Sequence, residues 1–113
     1  MSRKLQNQAS SPAAVVENAR RLGANIAVAR RRRRLSQADL AAKAGISRPT
    51  LIRVEAGELG TALGAYTAVL WALGLDHDVP SIASPETDRE GITLEVARLG
   101  KRMHTPRSLS DDF

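Results

Sequence analysis

Cysteine is absent from the 113 residues, so neither a disulfide framework nor a thiolate zinc site is available, and a cytoplasmic location is the simplest expectation. Aromatic residues are nearly as scarce. Tyr66, Trp71 and Phe113 are the whole set, which leaves no stacking platform for single-stranded nucleic acid. No apolar run approaches the ~20 residues that span a bilayer, and the polar stretch from Met1 to Ser11 does not read as a signal peptide, so no membrane association is expected. Acidic residues are in deficit, 12 against 17 Lys and Arg, for a net charge of +5. That excess points to a polyanionic partner, and with so few aromatics the partner is duplex DNA rather than single strands or RNA.

The length suits one compact helical domain with tails. Residues 1–12 read as a frayed leader ending at Ser10, Ser11 and Pro12. Val15, Ala19, Leu22, Ile26 and Ala29 then recur at alternating steps of four and three, the stripe of a helix from Ala13 to Arg34. Ser36, with Asp39 three residues on, caps a second helix that Gly45 ends, and Ser47 with Pro49 starts a third that Gly57 closes. Thr61 is the expected cap of a fourth, with Leu63, Tyr66, Leu70 and Leu73 as its core stripe and Gly74 as its stop.

No segment alternates with a strand period, so the fold class is all-α, with residues 13–75 as the domain and 76–113 as a tail for a partner or for dimerisation. The stretch from Asp76 to Ser84 reads as irregular. Ser84 and Pro85 offer a cap and first-turn proline for a weaker helix with Ile92, Val96 and Leu99 along one edge, and Lys101 to Phe113 read as a tail. Gly91 inside that helix costs roughly 1 kcal/mol relative to Ala, so a partner surface is expected to support it.

The run from Gln37 to Gly57 meets the steric demands of two helices packed across a tight turn. Leu40 and Ala44 face inward, and Ala41 is small where the second helix crosses closest. Gly45 permits a left-handed turn, Ile46 fills the space beneath it, and Leu51 and Val54 anchor the second helix. What remains outside is polar: Ser47, Arg48 and Thr50, then Arg53 one turn on. Such a helix presents its N-terminal residues to base edges in the major groove. Gln37 and Ser47 are expected to position the domain on phosphate, and Arg48, Thr50 and Arg53 to specify the sequence, each arginine able to take guanine with two hydrogen bonds.

The segments Arg34-Leu-Ser-Gln-Ala-Asp-Leu-Ala41, Ala44-Gly-Ile-Ser-Arg48 and Glu55-Ala-Gly57 together resemble the Cro/C1-type (XRE family) helix-turn-helix regulators, over a span from about Ala19 to Leu75. The resemblance implies a lambda-repressor-like domain of four to five helices that binds pseudo-palindromic operator DNA as a homodimer. A looser likeness, in Gly64 to Leu75, Ser84 to Gly91 and Gly100-Lys-Arg102, is to HipB-like antitoxins. It implies an autorepressing antitoxin of a type II toxin-antitoxin operon that binds a HipA-type serine/threonine kinase toxin. Two other readings stand beside it: a stand-alone or phage-like repressor, and a protein-interaction module that does not bind DNA.

Each pointed assignment has a plainer rival. Arg30 to Arg34 wrap right round a helix, so they read as a solvated basic end of which one or two members touch phosphate. Glu55 would repel phosphate and is expected to pair with a nearby arginine. Trp71 falls off the core stripe and is assigned, with Ile92, Val96 and Leu99, to a dimer or partner contact, against packing on the C-terminal segment. Asp76, His77 and Asp78 are consecutive, and consecutive residues rarely converge on one ion, while His104 has no nucleophile to serve. No enzyme activity, cofactor or metal is expected.

Overall fold

The computed structural model describes residues 10–103, and these are helical wherever they are regular. Helix α1 spans Ala13–Arg32, α2 Gln37–Ala44, α3 Arg48–Glu55 and α4 Leu63–Leu73; a 3-10 helix follows at Asp76–Ser81, then α5 at Arg89–Met103. The chain divides into two units, the first ending at Val79 and the second beginning at Pro80. The expected leader up to residue 9 and the tail from residue 104, with His104, lie outside the described residues.

In the first unit, α3 and α4 pack on α2, and α1 lies against α3 and α4. Ile26, Leu40, Leu51, Val54 and Val69 are fully buried, with Ala29, Ala41, Tyr66 and Leu73 around them. Burial of these apolar side chains is what holds the four helices together, since isolated helices as short as α2, α3 and α4 are marginal in water. Ala41 is buried between α2 and its neighbours, as its small size requires.

One chain reversal serves four times. At the end of α1 the Arg34 amide donates to the Arg31 carbonyl (3.0 Å) and the Leu35 amide to the Arg30 carbonyl (3.2 Å). This is the Schellman arrangement, which satisfies the last carbonyls of a helix and needs one left-handed residue. Gly45, Gly57 and Gly74 supply that residue after α2, α3 and α4, and Arg34 supplies it after α1 with φ 56°. The first helix therefore stops at Arg32, not at the expected Arg34, because turning there brings Leu35 back onto the core.

Three further expectations are corrected. Thr61 does not cap α4: the cap position is Ala62, which makes no side-chain bond, and the Thr61 hydroxyl is buried without a partner. Leu63 is exposed and Val69 takes its place in the core, because α4 is apolar nearly all round and its sequence does not single out one face. The stretch after Leu75 is not irregular throughout but winds into the short 3-10 helix.

In the second unit no residue from 80 to 102 is buried. Ser84 does not start α5. Its carbonyl closes a turn with the amides of Thr87 and Asp88 (both 3.1 Å), and its hydroxyl bonds the Glu86 carboxylate, which holds that carboxyl below its ordinary pKa. The helix begins instead after Asp88, whose carboxylate accepts from the Gly91 amide at 3.0 Å. Gly91 thus lies in the first turn, under that carboxylate, where a β-carbon would collide with it.

Candidate nucleic-acid interface

The ends of α2 and α3 are built from side chains that satisfy exposed amides. Ser36 Oγ accepts from the Asp39 amide (3.0 Å) while Asp39 Oδ2 accepts from the Ser36 amide (3.1 Å), a reciprocal cap. Hydrogen bonds from the Ser36 amide and then its hydroxyl hold the Asp39 carboxyl below its ordinary pKa. Ser47 Oγ accepts from the Thr50 amide (3.2 Å) and shares a hydrogen bond with Thr50 Oγ1 (2.8 Å). Gly45, at φ 72°, makes the turn between the two helices.

An ion pair fixes the angle at which α3 is carried. Arg30, in the last turn of α1, grips Glu55 at the end of α3 through Nε (2.7 Å) and Nη2 (3.2 Å). Arg30 Nη1 also donates to the Leu35 carbonyl (3.0 Å), and Gln37, first residue of α2, donates from Nε2 to Glu55 Oε1 (3.1 Å). Both charged side chains are about nine-tenths buried, 12% and 8% exposed. A two-pronged pair of this kind defines direction as well as distance. Glu55 is therefore paired with an arginine as expected. Arg30 is committed inward, and Arg31, Arg32, Arg33 and Arg34 remain on the surface, with Arg33 bonded back to the Ala29 carbonyl.

Once α3 is held, its outer face carries Arg48, Ile52 and Arg53, all exposed, with Ser47 beside them and Thr50 half-buried. Gln37 is half-buried at the α2 end of this surface. Ile52 escaped the sequence reading, although it lies one helical turn from Arg48 and off the Leu51 and Val54 stripe, which is the signal that could have found it. Beyond Arg53 the loop to α4 folds over a cleft of about 520 Å³ lined by Thr50, Arg53, Glu58, Gly60, Thr61 and Ala62. Glu58 lies 4.0 Å from Arg53 Nε, and its carbonyl accepts from the Tyr66 hydroxyl at 2.8 Å. Burial, and then the Glu58 charge, push the Tyr66 hydroxyl above its ordinary pKa.

The profile of the helix-turn-helix domain family matches residues 21–80, more than half of the chain, and the matched span contains α2, the Gly45 turn and α3. The chain belongs to the helix-turn-helix domain family. No curated protein and no solved structure matches it. In this helix-turn-helix protein α2 and α3 are the pair that gives the family its name, and membership supports a DNA-binding regulator.

The remaining assigned residues lie elsewhere. Trp71 is 63% exposed on α4, and Ile92, Val96 and Leu99 are exposed along α5 together with Leu94. No three His, Asp or Glu side chains converge as a metal site among the described residues, and His77 approaches only Asp78, at 3.7 Å. No described helix is long and apolar enough to cross a membrane.

Proposed function

We propose that this protein is a sequence-specific repressor that inserts α3 into the major groove of duplex DNA and binds as a homodimer, one helix per half-site. The observation that carries the reading is the pairing of a rigid mount with a basic outer face. Arg30, Glu55 and Gln37 lock the end of α3 to α1 and α2, while Arg48 and Arg53 project from its exposed side. Arg48, Thr50, Ile52 and Arg53 are the base readers, Ile52 through the thymine methyl, and Gln37 and Ser47 meet phosphate. Occupying a promoter would exclude polymerase, so binding itself is the mechanism.

The finer form of the proposal is a Cro/C1-type regulator serving as an autorepressing antitoxin, with a HipA-type kinase toxin contacting Trp71 on the first unit or the α5 edge of the second. What supports it is the likeness in the α4 and α5 segments and the exposure of Trp71, Ile92, Val96 and Leu99. A stand-alone repressor would use the same residues only to dimerise.

Selection of duplexes from a randomised library by the full-length protein tests the first part. The expected result is a pseudo-palindrome whose half-site centres are about one helical turn apart. Failure to enrich any sequence at low salt would contradict it. Co-expression with the neighbouring reading frame of the same messenger tests the second part: a stable complex lost on Trp71→Ala supports the antitoxin, and a promoter-bound protein that copurifies with nothing supports the solitary repressor.

A further inference from the structure

Glu58 occupies a position that the rest of the first unit gives to an apolar side chain. At each helix end the residue after the left-handed one returns its amide to a carbonyl five residues back: Leu35 to Arg30 (3.2 Å), Ile46 to Ala41 (3.0 Å), Leu75 to Leu70 (2.8 Å) and Glu58 to Arg53 (3.1 Å). That geometry brings the two side chains together, and the contact that accompanies it is usually apolar. Leu35, Ile46 and Leu75 are apolar and pack against the core. The end of α3 departs, setting a carboxylate against a guanidinium instead.

Stability does not account for the departure. Both side chains are about half exposed, 53% for Arg53 and 45% for Glu58, and surface pairs of this kind contribute little. The backbone of Glu58 is nevertheless held from two sides, its amide by the Arg53 carbonyl and its carbonyl by the Tyr66 hydroxyl, so the carboxylate springs from a fixed root. Its nearest approach to Arg53 is at Nε, 4.0 Å away, rather than at the terminal Nη pair, the pair suited to guanine O6 and N7.

We propose that Glu58 is a positioning residue for sequence reading: it steers the Arg53 fork towards a base and cancels the charge by which Arg53 would otherwise grip phosphate. The proposal rests on the reading of α3 as the helix that enters the groove. It separates the two arginines of that helix. Among the described residues no carboxylate pairs with Arg48, so its charge adds general affinity and steering to the base contact proposed for it. Arg53 and Glu58 are together neutral, so the pair adds discrimination with little general affinity. A carboxylate so near phosphate lowers binding to every duplex, and the cost falls more heavily on wrong sequences, where Arg53 gains nothing in return.

The test uses the full chain, the duplex enriched by selection, and random duplex of the same length. Glu58→Gln keeps the shape and removes the charge; Glu58→Leu places here the apolar residue found at this position of the other three helix ends and serves as the second variant if the glutamine one melts early. Both variants are expected to bind random duplex more tightly, with a log-log salt slope steeper by about one. Both should lose about tenfold in preference at the single base pair whose preference Arg53→Ala abolishes. Wild-type salt slope and wild-type preference in the two Glu58 variants, alongside a selective loss in Arg53→Ala, would overturn the role of Glu58 while leaving α3 as the reading helix. No selective loss in Arg53→Ala would overturn both.

Discussion

Gly23 in α1 and Gly57 after α3 meet backbone to backbone: a β-carbon on Gly23 would lie 2.8 Å from the Gly57 amide nitrogen, and one on Gly57 would lie 2.5 Å from the Ala19 carbonyl oxygen. Neither obstacle is a side chain that can swing away. Gly57 carries the further demand of φ 70°, a conformation that costs a side chain extra. The contact sets how closely α1 approaches the end of α3, and therefore how Arg30 reaches Glu55.

Gly23→Ala should destabilise the first unit by about 3 kcal/mol, the upper end of the range for overpacking, because the added carbon meets the Val54 and Glu55 carbonyls at 2.6 Å. Denaturant unfolding checks this. A midpoint equal to that of the unsubstituted protein would mean that the two backbones separate freely.

Glu55→Ala strands Arg30, and Gln37 loses its acceptor at the same time. Removing one partner of a buried pair costs about 3 kcal/mol or more. Arg30→Met with Glu55→Met should recover most of that loss in a melting experiment, since no buried charge is then left alone. Equal destabilisation in the single and double variants would show that shape, not charge, is what the pair contributes.

Acid should loosen the start of α2. The Asp39 carboxyl titrates below its ordinary 3.8 because Ser36 bonds its charged form. A lowered folded-state pKa means that the contribution to stability is complete above 3.8 and is lost as pH falls through the depressed value. The melting temperatures of the protein and of Asp39→Asn should therefore differ at neutral pH and converge below that window. A constant difference across the range would contradict the cap's dependence on charge.

Trp71 is the only tryptophan and lies 63% exposed, so it reports on whatever covers it. Its emission should shift to the blue as the protein is concentrated or as a partner is added. Trp71→Ala should change folding stability by less than about 0.5 kcal/mol, as surface substitutions usually do, while weakening that association. Emission unchanged under both conditions would remove Trp71 from any interface.

What could be read in advance was local. Ser36 with Asp39, Ser47 with Pro49, and the stops at Gly45, Gly57 and Gly74 each act within a few residues, so their sequence signals survive into the fold. Most non-local demands were invisible, the pairing of Glu55 with an arginine being the exception. Nothing around Gly23 announces that the chain returns there some thirty positions later, and nothing around Arg34 announces that it, and not a glycine, turns left-handed to set Leu35 on the core. The α4 stripe failed for a different reason: Leu63, Tyr66, Val69, Leu70, Trp71 and Leu73 cover most of the helix, and only packing decides that Val69 goes in and Leu63 stays out. At the surface, Arg48 and Arg53 were legible because their neighbours Leu51 and Val54 claim the inner face. Glu58 was not, since its place beside Arg53 is created by the chain reversal after α3.

The central claim is that two exposed arginines on α3 read bases, and a titration of labelled duplex tests it most directly. Arg48→Ala and Arg53→Ala are each expected to weaken binding to the selected duplex by about 1 to 3 kcal/mol more than binding to random duplex, with a smaller selective margin for Arg48. Equal losses on both duplexes for the two variants would contradict the account and reduce these residues to contacts with phosphate.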